Sequence, residues 1–118
     1  MKLRIQGNSL RLRLTQKDVA HLSGYGRVES RIEFSPGQAL VYLLEGSFRA
    51  QSVDAAFDGQ VIRVTVPAHV VMGWAESDQV SIEASSSVGL QLLIEKDFQC
   101  LHSRGEQDRD AYSRPPMS

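Results

Sequence analysis

The sequence predicts a mainly β domain of the α+β kind: a small antiparallel sheet or half-barrel of six to eight strands, with one or two short helices. Three observations carry this expectation. Apolar residues recur at every second position along much of the chain, as in Leu10, Leu12 and Leu14 or Val80, Ile82 and Ala84. Turn formers such as Gly7-Asn8, Ser35-Pro36-Gly37 and Asp58-Gly59 separate these runs. The alternation of strand and long helix that builds a nucleotide-binding parallel sheet is absent. At 118 residues, with 42% apolar and 23% charged side chains, the chain fits one domain of ordinary globular composition.

Leu3 and Ile5 alternate with Lys2 and Arg4, and Leu10, Leu12 and Leu14 alternate with Arg11 and Arg13. Each run reads as a strand with one apolar and one cationic face, and a tight turn at Gly7-Asn8 would pair them. Thr15 reads as a helix cap. Asp18 stands at the third helical position, and Leu14 and Val19 are placed for a hydrophobic staple. Ser23-Gly24-Tyr25-Gly26 ends that helix, with Gly24 the expected positive-φ residue. From Arg27 to Phe34, Val28, Ser30, Ile32 and Phe34 share one face; Arg27, Glu29, Arg31 and Glu33 alternate in sign on the other. Gln38 to Leu44 is apolar on both faces, which suits a central strand.

Asp58-Gly59 predicts a hairpin in which those two residues form the loop. Phe57 would then oppose Gln60, Ala55 would oppose Ile62, and Asp54 would face Arg63. Pro67 to Trp74 predicts a short helix with Pro67 at its first position and Trp74 as a core plug. Two strands follow, one through Val80, Ile82 and Ala84, the other from Leu90 through Leu92 and Ile94. No stretch of sequence repeats another. From Gln99 the periodicity fails, so the expected organisation is a single β-rich domain over 1–102 and an extended or disordered tail over 103–118.

Several function classes fall away. A single cysteine, Cys100, excludes an internal disulfide framework. With no apolar segment of signal-peptide or membrane-span length, the expected location is cytoplasmic. His21, His69 and His102 lack metal-ligand spacing. The pair Cys100 and His102 would need Glu106, Asp108 or Asp110 to complete a shell, so no metal and no cofactor are expected. Gly24-Tyr25-Gly26 lacks the lysine and hydroxyl of a phosphate-binding loop. Triphosphate-processing tunnel barrels open on alternating glutamates, whereas Lys2 to Gln6 contains no acid.

Charge is unevenly distributed: residues 1–49 sum to +4 and residues 50–95 to -5, in a chain of net -1. This predicts that opposite ends of the sequence meet and neutralise each other in the fold. The candidate site is the cationic face of the first hairpin, Lys2, Arg4, Arg11 and Arg13, because guanidinium forks suit carboxylate and phosphate. Nucleic acid is a poor fit for a patch without interleaved aromatics. The expected function is a non-catalytic binding or interaction module for a protein or an anionic small molecule. The alternative is a small ligand-binding barrel or enzyme acting on an anionic metabolite. An edge strand could also pair two copies into a homodimer.

Residues 2–19, KLRIQGNSLRLRLTQKDV, the segment 74–80, WAESDQV, and residues 94–101, IEKDFQCL, resemble a family of uncharacterised bacterial proteins of about this length, a domain of unknown function. The resemblance implies a free-standing single-domain protein and no particular activity.

Overall fold

In the computed structural model, residues 1–98 are described. Cys100, His102 and the expected 103–118 tail lie outside them. Strand β1 (Lys2–Gln6) turns at Gly7-Asn8 into β2 (Ser9–Leu14), with Gln6 opposite Ser9. Gly7 has φ +55°, and no described non-glycine residue has positive φ. Positive φ at the first loop position alone is the type II′ arrangement, whose twist matches that of the flanking strands.

Helix α1 (Gln16–Tyr25) starts at a capping box. The Thr15 hydroxyl accepts from the Asp18 amide, and the Asp18 carboxylate accepts from the Thr15 amide. Its end lies two residues past the expected place. Gly24 is helical, and Gly26 takes the left-handed conformation at φ +85° while its N–H donates to Leu22 O. Both glycines are permissive there, and the chain uses the second, so the last turn closes from Gly26 onto Leu22.

Strands β3 (Arg27–Ser35) and β4 (Gln38–Ser47) form the second hairpin, with a bulge between Glu33 and Ser35. Strands β5 (Asp54–Asp58) and β6 (Val61–Pro67) form the third. Here the expected register is overturned: the loop is Gly59-Gln60, so Phe57 opposes Ile62, Ala55 opposes Val64, and Arg63 opposes Ala56 instead of Asp54. The turn again needs its glycine first, at φ +63°, which draws Asp58 back into the strand. Helix α2 (Ala68–Ala75) starts one residue later than expected, with Pro67 as its N-cap instead of its first residue. Strands β7 (Ser81–Ser85) and β8 (Gln91–Lys96) complete the chain of elements.

The strands form two four-stranded sheets, β1-β2-β8-β7 and β3-β4-β6-β5. The expectation of a mainly β chain with two short helices holds; the expectation of an antiparallel sheet needs correction. Each sheet is two antiparallel hairpins joined in the middle by a parallel pair, β2 with β8 and β4 with β6, and neither closes into a barrel. Hairpins come from adjacent sequence, whereas parallel pairs join strands far apart in the chain, and no local signal marks them.

Topology repeats although sequence does not. The run β1-β2-α1-β3-β4 has the order of β5-β6-α2-β7-β8, and each run contributes one hairpin to each sheet. An offset of 52 positions relates Gly7 to Gly59, Leu12 to Val64, and Leu22 to Trp74; the last pair is 2% and 0% exposed. Backbone bonds repeat as well. Val41 N–H donates to Gln60 O as Gln91 N–H does to Asn8 O, and Gly46 N–H donates to Gly26 O as Lys96 N–H does to Val80 O. The fold is therefore a pseudo-twofold pair of ββαββ units with interchanged hairpins.

One core lies at the centre of this pair. Leu10, Leu12 and Leu14 of β2 and Leu92 and Ile94 of β8 share it with Tyr42 and Leu44 of β4 and Val64 and Val66 of β6. Leu22 and Trp74 enter from the helices. The Trp74 indole N–H donates to Val80 O at 3.0 Å, which answers the one polar atom of a fully buried ring. The Tyr42 hydroxyl donates to Met1 O at 3.0 Å and ties one sheet to the other.

Candidate binding face

Because side chains alternate along a strand, the leucines of β2 commit Ser9, Arg11 and Arg13 to the opposite face. The register of β1, β8 and β7 then completes three cross-strand rows on the outer face of the first sheet. They read Lys2–Arg13–Glu95–Ser81, Arg4–Arg11–Leu93–Glu83 and Gln6–Ser9–Gln91–Ser85. All four residues expected from the sequence stand together on this face. Lys2 is directly opposite Arg13, and Arg4 directly opposite Arg11. Like charges in such positions repel.

Glu95 relieves part of that repulsion. Arg13 donates to Glu95 Oε2 through Nε at 3.0 Å, with Nη2 also at 3.0 Å, and Arg11 Nε lies 3.7 Å from the same oxygen. Lys2 Nζ is 3.9 Å from Asp97. The Arg11 and Arg13 contacts join cations of β2 to an acid of the 50–95 segment, as the charge asymmetry of the sequence predicts. Arg4 has no acidic partner among the described residues.

Beside the arginines the face is concave. An open groove of about 540 Å³ is lined by Ser9, Arg11, Glu83, Ser85, Gln91 and Leu93 among others. Of the four cations only Arg11 borders it. Glu83, Gln91 and Leu93 were not singled out by the sequence. Their facing could be read from strand alternation, but nothing local places β8 next to β2.

The second sheet is a built-in comparison. Its rows read Arg27–Glu45–Thr65–Asp54 and Glu29–Leu43–Arg63–Ala56. Arg63 matches Arg11, Glu45 matches Glu95, and Leu43 matches Leu93. The places of Lys2, Arg4 and Arg13 are taken by Asp54, Ala56 and Thr65. The cation cluster therefore belongs to one half and is not a requirement of the architecture. Arg63 is held by Glu45 at 3.1 Å, and Glu29 by Arg27 at 2.8 Å.

Two carboxylates nearby are held below their ordinary range. Burial pushes Asp18 up, but the Met1 ammonium at 2.8 Å and the Thr15 amide and hydroxyl together outweigh it. Asp54 is lowered by the backbone N–H groups of Ala55 and Ser87. Neither belongs to the cationic face. Among the described residues no cluster of three or more His, Cys, Asp or Glu side chains could hold a metal ion, and no helix is long and apolar enough to cross a membrane.

A family model described as "Family of unknown function (DUF7009)" matches residues 1–116. No curated protein and no solved structure matches the chain.

Proposed function

We propose that this chain, which belongs to the family of unknown function DUF7009, is a non-catalytic binding module whose contact surface is the outer face of the β1-β2-β8-β7 sheet. The observation that carries the reading is the Arg4–Arg11 pair. The two residues stand directly opposite each other, Arg4 has no acidic partner among the described residues, and the acid beside Arg11, Glu95, is engaged mainly by Arg13. Such a pair costs folding free energy until an anion joins it. The corresponding positions of the other sheet hold Ala56 and Arg63, so the fold itself does not demand the repulsion. The partner is an acidic segment of a protein, whose successive carboxylates would span Lys2, Arg4, Arg11 and Arg13.

A second reading rests on the groove. Arg11 at its border and the Ser85 hydroxyl, which accepts from Gln91 and keeps its own proton to donate, would suit a small anion on the side away from Glu83. Titrating the full chain with a glutamate-rich peptide and, separately, with inorganic phosphate separates the two. The arginine Nε–H resonances report which side chains respond. Saturable shifts at Arg4, Arg11 and Arg13 with peptide alone support the first reading; shifts confined to Arg11 with phosphate support the second. Arg4→Ala with Arg11→Ala should weaken peptide binding roughly tenfold or more without lowering the urea midpoint, since it also removes the repulsion between the two. Absence of saturable binding in both titrations would overturn the proposal.

A further inference from the structure

We infer that the free edge of β3 is a homodimer interface, which pairs antiparallel with β3 of a second copy about Ser30. The four edge strands of the two sheets are β1, β3, β5 and β7. Three of them have five residues, and β3 has nine. An edge strand offers unpaired N–H and C=O groups to any neighbouring chain, and charge is the usual means of discouraging that.

The three short edges discourage a copy of themselves. Centred on its own middle residue, β1 would set Arg4 against Arg4, β7 would set Glu83 against Glu83, and β5 would set Asp54 against Asp58. On β3 the same operation does the opposite. A twofold axis at Ser30 places Arg27 opposite the second copy's Glu33 and Glu29 opposite its Arg31, and the symmetry repeats both pairs. Moving the axis to Glu29 or to Arg31 sets like charges against each other. Moving it by half a residue would set apolar against charged faces. The Ser30 register is therefore the one that pairs all four charges of the strand.

The surroundings agree. Along the isolated edge each arginine leans on its own neighbour: Arg27 lies 2.8 Å from Glu29, and Arg31 lies 4.0 Å from Glu33. All four of these side chains are more than half exposed. On the opposite face Ile32, at 43% exposure, would lie beside the second copy's Val28, which its own core already buries, so the contact there is small and the charged face carries the register. The His21 ring already engages the Arg27 carbonyl at 3.0 Å, so the new ladder would run through Val28–Ile32, with Arg27 and Glu33 joining by their side chains. The two β3-β4-β6-β5 sheets would become one sheet of eight strands, and the cationic face of the other sheet would take no part.

Charge reversal tests this. The full chain is examined by sedimentation velocity from micromolar to several hundred micromolar, with far-ultraviolet circular dichroism and urea midpoints as folding controls. Wild type should dimerise. Glu29→Arg sets the introduced guanidinium against the second copy's Arg31, and Arg31→Glu sets the introduced carboxylate against the second copy's Glu29. Each variant alone should therefore dimerise roughly tenfold or more weakly. An equimolar mixture of the two variants restores every opposite-charge pair and should recover the dimer. If a reversal disturbs folding, Glu29→Gln and Arg31→Gln take its place, each weakening the dimer by a smaller factor. A wild type that stays monomeric throughout, variants that dimerise as well as wild type, or a mixture that does not recover would each overturn the proposal.

Discussion

Arg11 and Arg63 hold equivalent places in the two halves of the fold, yet they are bound differently. Arg63 Nη1 lies 3.1 Å from Glu45, while Arg11 Nε lies 3.7 Å from a glutamate it shares with Arg13. The shared acid is also the more enclosed: the Glu95 side chain is 17% exposed and that of Glu45 26%. Glu95→Gln should therefore cost about 1–2 kcal/mol, since a charge-assisted bond is lost and two like-charge pairs are left unrelieved. Glu45→Gln should cost under about 1 kcal/mol, as an exposed pair does. Urea unfolding of both variants checks this, and added salt should narrow the Glu95 deficit.

Trp74 and Leu22 test the pseudo-twofold as a packing device. Trp74→Ala should destabilise by about 3–5 kcal/mol and Leu22→Ala by about 2–5 kcal/mol, because both are almost wholly enclosed in one core. Both should lose their stability in a single transition seen alike by circular dichroism and by tyrosine fluorescence, since Trp74→Ala removes the one tryptophan of the chain. Separate transitions for the two halves would contradict the shared core.

Two glycines separated by one residue should respond in opposite senses. Gly24 is helical with open space where a Cβ would go, so Gly24→Ala should stabilise by about 0.5–1 kcal/mol. Gly26 has φ +85°, so Gly26→Ala should destabilise by about 1–2 kcal/mol. Thermal or urea unfolding reads both.

Asp18 gives the chain an acid-sensitive contact. Its folded carboxyl titrates below the ordinary range, so its contribution is complete above the unfolded value and is lost as pH falls through the lowered folded one. The stability gap between wild type and Asp18→Asn should thus be widest near neutral pH and shrink in acid below about pH 4. Thr15→Ala, which removes the other member of the capping box, should cost about 1 kcal/mol. A gap that grows in acid would mean that Asp18 is not held ionised by the Met1 ammonium.

What the sequence revealed was local. Thr15 and Asp18 announced a helix start because a capping box is written within four residues. The alternation of Leu10, Leu12 and Leu14 assigned Arg11 and Arg13 to the outer face because a strand has no other choice. The Asp58-Gly59 register failed because aspartate followed by glycine suggests a turn with glycine second, whereas this fold uses glycine first at both Gly7 and Gly59. The parallel neighbours of β2 and β4 were invisible, since the match between Leu12 and Ile94 is apolar against apolar, as many wrong pairings would be. The duplicate architecture was hidden for the same reason: Leu22 and Trp74 do one job with different side chains.

The parallel seam between β2 and β8 bears on how the chain acquires its shape during synthesis. Leu10 and Leu12 leave the ribosome early, and their partners Leu92 and Ile94 follow roughly 80 residues later, several seconds at ordinary elongation rates. Until then the inner edge of β2 stays open and adhesive. The basic side chains on its reverse would help to keep nascent chains apart during that interval.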